Sequence, residues 1–152
     1  MAPEPATVAA GPQVVVRPIG QSDVESIARW YPKAVVLAGS SAPLGDQLDS
    51  RGRLLVLTEG GDHQPAGLVL VALDDPEPGW ASVSLLAIAA AEHRDLAAQA
   101  VALLDADLQQ EATYIRAALP ADAGPALYFW LRLGYRPSVS GARLWMVRDL
   151  DT

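Results

Sequence analysis

At 152 residues the chain is long enough for one domain with a sizeable core, since a domain of this length buries about 70% of the surface its unfolded chain exposes. Its 51% hydrophobic content excludes a disordered chain, and no apolar run reaches the ~20 residues of a membrane-spanning helix. A formal charge of −7 argues against a nucleic-acid scaffold; with no cysteine and only His63 and His93, disulfides, thiol nucleophiles and Cys/His metal centres drop out.

MAPEPATVAAGP (1–12) has neither a basic start nor a sustained apolar stretch. It is expected to be a flexible tail rather than a secretory signal, leaving 13–152 as one domain. QVVVRPI (13–19) is β-branched and predicts a first strand. Ser22 or Asp23 can cap the segment that follows, where Val24, Ile27, Ala28 and Tyr31 share a helical face until Pro32 ends it. Residues 33–51 mix apolar residues with turn formers and are expected to hold a short helical turn and loops.

RLLVLTE (53–59) and AGLVLVAL (66–73) predict a hairpin around EGGDHQP, and WASVSLLAI (80–88) a longer strand after DDPEPG. Their nearly continuous apolar character implies a sheet covered on both faces. DLAAQAVALLDADLQQE (95–111) predicts a helix with Leu96, Val101, Leu104 and Leu108 on its apolar stripe and Asp95 in its first turn. TYIRAAL (113–119) is a strand. GPALYFWLRLG (124–134) is a helix opened by Pro125 and closed by Gly134, and the rest is a hairpin turning at Ser140-Gly141. The sum is an α/β (α+β) domain: one mixed, mostly antiparallel sheet of about six or seven strands flanked by about four helices.

One junction has functional weight. In LLAIAAAEHRDLAAQAVALL (85–104) a strand feeds a helix, and the free N–H groups of a helix start can hold an anion. Phosphate-gripping turns of this kind usually carry glycines; this one has none. With the element order and LYFWLRLGYRP, the stretch resembles the GNAT acyltransferase superfamily over about residues 14–150. Leu86, Ala87, Ile88, Glu92 and Arg94 match the family's fourth strand and pyrophosphate loop, with one residue inserted among the alanines. Leu103-Leu104 matches the following helix, and Leu133-Gly134-Tyr135 the closing motif.

The resemblance implies a fourth and a fifth strand that splay into a wedge for acyl-CoA. The backbone of Leu86, Ala87 and Ile88 would hold the pantetheine arm. The turn of Arg94, Asp95, Leu96, Ala97, Ala98 and Gln99 would hold the pyrophosphate. The implied reaction moves an acetyl group from acetyl-CoA to an amine of a small molecule or peptide, by direct attack in a ternary complex. The sequence departs from the family at several points. The loop's glycine positions fall on Ala97 and Gln99, or on Asp95 and Ala97 in a register two residues earlier that begins at Glu92. Alanine still tolerates helical φ, Asp95 would repel a phosphate, and Arg94 offsets that charge.

The tyrosine that many members use as an acid is Trp130 here, which has a ring N–H but no useful proton to give. Tyr128 lies about 200° away around the helix. The family's asparagine is matched by Ala123, beside Asp122. Glu59, at the end of a central strand, is the candidate base, acting through water. Asp74, Asp75 and Glu77 read as solvated turn acids, His93 as loop surface, and Ser82 and Ser84 lack a His/Asp partner for a hydrolase triad. Two readings stay open: an active acyltransferase, or a GNAT-fold binding module without catalysis. A cytoplasmic protein, with a homodimer as one compatible state and no nucleic-acid or membrane partner, is the accompanying expectation.

Overall fold

The computed structural model describes residues 9–10, 13–40, 42–49, 52–60, 63–120 and 124–151. Most of the expected tail, Gly61-Asp62 of the hairpin turn, and Asp122-Ala123 lie outside them. Strands form where apolar residues run together: β2 (Val14–Pro18), β4 (Arg53–Glu59), β5 (Pro65–Leu73) and β6 (Trp80–Ile88). β5 and β6 are buried along most of their length, as two covered faces require. β7 (Tyr114–Ala118), β8 (Arg136–Ser140) and β9 (Arg143–Asp149) complete the C-terminal half.

Two strands come where none was expected. Within the supposed tail, β1 (Ala9–Ala10) pairs with Val15 and Val16. In the stretch expected to be loops and a helical turn, Val35–Gly39 forms β3 and Leu44–Leu48 a short helix, α2. Among the described residues the sheet therefore has nine strands, in the order β1-β2-β4-β5-β6-β7-β9-β8 with β3 off that path against β6. Of the described ladders, only β6–β7 is parallel.

α3 (Arg94–Leu108) and α4 (Gly124–Arg132) cover one face. Leu96, Ala97, Ala100, Val101, Leu104 and Leu108 of α3 join a core with Leu55, Val69, Val83 and Ile115. α3 ends three residues before the predicted 111, because Thr113 and Tyr114 turn back to hydrogen-bond the carbonyl of Gly79. Gly134 takes φ +90° after α4, which an L side chain would resist, and Tyr135 N–H closes back on the Trp130 carbonyl. On the other face, Ile27 of α1 (Gln21–Trp30) and Tyr31 pack on Val56, Leu68, Leu70, Leu85 and Ala87. No helix among the described residues is long and apolar enough to cross a membrane.

α1 is fixed at its start by Asp23. The carboxylate, itself nearly out of solvent, accepts the Gly20 N–H at 2.7 Å and a two-pronged bond from Arg17 at 2.6 and 2.8 Å. The guanidinium holds the Asp23 carboxyl below its ordinary value, and the Gly20 N–H adds to this against the cost of burial. A depressed native value means stabilisation present above about pH 3.9 and lost as pH falls through the native value. Asp23→Asn is expected to cost about 1.5–3 kcal/mol at pH 7. Urea unfolding at pH 7 and at pH 3 checks this: a gap just as wide in acid would refute the charge as its source.

Candidate functional site

β6 carries a bulge. Leu70 faces Leu85 and Val71 faces Val83, so Ser84 is the extra residue and β6 bends there. Below the bend, Trp80–Val83 pair with Tyr114–Ala117 of β7. Above it, Leu85–Ile88 turn away from β7, and the two parallel strands open into a wedge. That wedge is filled. β3 runs antiparallel along Leu85–Ile88, with Val35 opposite Ile88, Val36 opposite Ala87, Ala38 opposite Leu86 and Gly39 opposite Leu85. β5 already pairs with the other edge of the same four residues. Both edges of Leu85–Ile88 are therefore occupied by the chain itself.

The seat of β3 is closely fitted. Between Val36 and Ala38 the register shifts, so Leu37 bulges and its carbonyl leaves the ladder. That carbonyl accepts the indole N–H of Trp130 at 2.7 Å. Trp130 has no exposed surface and meets Tyr135 and Phe129 edge-on, with ring centroids 4.8 and 5.1 Å away. Gly39 has φ +83°, and a Cβ there would fall 2.0 Å from the Ser84 carbonyl oxygen. Past the strand, the Tyr31 hydroxyl donates to the Ala42 carbonyl, and Gln47 Nε2 donates to the Ser40 carbonyl at 3.3 Å. Trp130, where the resemblance looks for a tyrosine, is thus a clamp on β3.

Beside the wedge, a 3-10 turn (Ala91–His93) delivers the chain to α3, whose first turn has no side-chain cap. Helix starts leave backbone N–H groups without intrahelical partners, and the helix dipole favours an anion there. A cavity of about 420 Å³ separates this start from α4, lined by Arg94, Asp95 and Ala98 on one side and Tyr128, Phe129 and Arg132 on the other. The two arginines outweigh Asp95, and all three are exposed.

The predicted site residues divide accordingly. Arg94, Asp95 and Ala98 face the cavity. Leu96 and Ala97 point into the core, and Gln99 turns towards β2, donating to Gln13 Oε1 at 3.1 Å. Leu86, Ala87 and Ile88 are fully buried. Glu59 is exposed at the end of β4, two strands from β6 and so roughly 10 Å away in the plane of the sheet. Sequence reasoning missed Arg132 and the place of Tyr128 beside it on the cavity wall. Their i, i+4 spacing marks a common face of α4 but not the element across from it.

The donor set decides which part of an acyl-CoA fits. A pyrophosphate suits the α3 start with its Arg94 and, across the cavity, Arg132 of α4. A pantetheine arm does not fit while β3 is seated, because β3 and β5 already pair with the two edges of Leu85–Ile88. The wedge walls, Val35–Gly39, Leu85–Ile88 and Ala117–Leu119, also contain no titratable side chain.

No protein-family model matches the chain, and no curated protein sequence does. Solved structures do. An acetyltransferase from Thermus thermophilus superposes with a TM-score of 0.72 at 23% identity, over 95% of this chain and 99% of that one. A GCN5-related N-acetyltransferase from Brucella melitensis gives 0.68 at 16%, over 98% and 80%. A ribosomal-protein alanine N-acetyltransferase from Escherichia coli gives 0.62 at 14%, over 88% and 90%. Likeness at these identities establishes the fold.

Proposed function

We propose that this chain, which has the GNAT acetyltransferase fold, binds acyl-CoA and serves acyl transfer to an amine. The observation that carries the proposal is the cavity at the start of α3, where Arg94 and Arg132 of α4 line one space and no side chain caps the helix. In this reading the turn from Arg94 to Ala98 receives the phosphates, with Arg132 opposite. Acetyl-CoA is the donor to test first. The acceptor is an amine of a small molecule or a peptide; the ribosomal-protein enzyme among the structural relatives puts peptide N-termini early in the screen.

One observation favours a second reading. β3 fills the wedge, and the wedge walls lack any acid, base or hydroxyl, which suits a GNAT-fold binding module without catalysis. Calorimetric titration separates the two. Acetyl-CoA is expected to bind, and Arg94→Ala to weaken binding about five- to tenfold, as loss of one solvent-exposed charge-assisted contact to phosphate would. No heat at millimolar acetyl-CoA, from the wild type and from a variant with β3 loosened, would sink the acyl-CoA reading and leave the binding module.

A further inference from the structure

The place where the GNAT fold would put a pantetheine arm is taken by part of this chain, and that disagreement has a physical reading. We infer that β3 is an internal competitor of the ligand: Val35–Gly39 and the pantetheine arm use the same edge of β6, and a ligand reaches it only when β3 has left. The inference rests on the acyl-CoA reading above. A pantetheine arm is a thin chain with two amide groups, so its hydrogen-bonding chemistry is that of a short strand. β3 supplies that chemistry already, and it fills the gap between β6 and β7 with Leu37 and Ala38, both buried.

Several features make β3 a separable occupant. It is five residues long, and among the described residues its only ladder is with β6. Its register is broken at Leu37, and what restores that residue's lost ladder bond is a single side chain on another element, Trp130. The flanking segments have anchors of their own. On one side Tyr31 is packed in the core beneath α1, and on the other Gln47 of α2 holds the Ser40 carbonyl. β3 can leave its edge without unravelling either neighbour. When the binding-competent state is only a fraction of the population, apparent affinity falls by that fraction. The strength of the Trp130–Leu37 bond and the fit of Gly39 therefore set the affinity for acyl-CoA from outside the phosphate site.

The test uses the full chain, two ligands and two variants. Trp130→Phe removes the N–H donor and keeps an aromatic ring. Gly39→Ala puts a Cβ against the Ser84 carbonyl at a backbone angle alanine resists. Both raise the population with β3 displaced. Acetyl-CoA is expected to bind Trp130→Phe about five- to tenfold tighter than wild type, as loss of one buried hydrogen bond predicts. Adenosine 3′,5′-bisphosphate has no pantetheine arm, and its affinity is expected to stay unchanged. Hydrogen exchange on the wild type gives a readout independent of any variant: saturating acetyl-CoA should speed exchange of the amides of 35–39, and the bisphosphate should not.

Equal acetyl-CoA affinity in wild type and both variants, a matching rise for both ligands, or exchange at 35–39 indifferent to acetyl-CoA would each overturn the competition. In those cases the acyl-CoA reading stands. If neither wild type nor variants bind acetyl-CoA, that reading fails and the competition falls with it.

Discussion

Asp105→Ala is expected to destabilise the protein by about 3–5 kcal/mol, close to the whole margin of a weakly stable domain. Asp105 is buried on the inner side of α3. One carboxylate oxygen accepts the Tyr135 hydroxyl at 2.6 Å and the other accepts Arg148 of β9 at 2.7 Å. Two elements, α3 and β9, and the turn after α4 thus meet on one carboxylate. Truncation leaves Arg148, still about a third exposed, free to turn to water, but Tyr135 is sealed in and would keep a buried hydroxyl without an acceptor. Most of the cost comes from that orphaned group rather than from the net value of the ion pair. Asp105→Asn keeps an acceptor for Tyr135 and should cost about half as much. Denaturant unfolding of both variants tests this ordering, and equal losses would put the energy in the charge instead.

The same network has a pH signature. Burial pushes the Asp105 carboxyl above its ordinary value, although Tyr135 and Arg148 both pull it back. A raised native value means a contribution fully present below the ordinary carboxylate range and lost as pH rises through the native one. Tyr135 is pushed well above its usual value, first by burial and then by the neighbouring carboxylate. The hydroxyl therefore remains the donor in the native fold, and what it adds is lost as pH rises past about 10.

Trp130→Ala is the second large effect, an expected loss of about 4–5 kcal/mol. Removing a buried Trp side chain costs about 3–5 kcal/mol, and the Leu37 carbonyl then lacks a donor as well. Trp130→Phe should lose only about 1–2 kcal/mol, because the ring contacts to Tyr135 and Phe129 partly survive. Thermal melts of the two variants side by side check the ratio. If Trp130→Phe proved as damaging as Trp130→Ala, the hydrogen bond and not the packing would dominate this site.

The strands at 53–59 and 80–88 were readable to the residue, since long apolar runs between turn formers have one outcome. VVLAG at 35–39 was not. Five apolar residues among prolines, serines and glycines carry no period that separates strand from turn, and the partner that makes them a strand lies some fifty residues further on. Within the candidate site the same boundary holds. Arg94 could be placed at a helix start from its neighbours. The role of Trp130 could not, because the substitution for tyrosine is visible in sequence while the carbonyl it holds is not. Ala9–Ala10 were hidden for the same reason: nothing local in a tail announces the edge strand it will extend.

The bond between Trp130 and Leu37 spans 93 residues of chain. On the ribosome, the N-terminal strands emerge while α4 is still unmade, so VVLAG leaves the exit tunnel with neither its edge of β6 nor its indole donor in existence. Closing so long a loop is entropically costly, and contacts of this separation slow a folding reaction. The middle of the domain can thus assemble with VVLAG at hand but not yet clamped, because Trp130 is made later. For that interval, the nascent chain holds an unpaired strand edge and an apolar pentapeptide in the open, the combination that invites pairing with another chain.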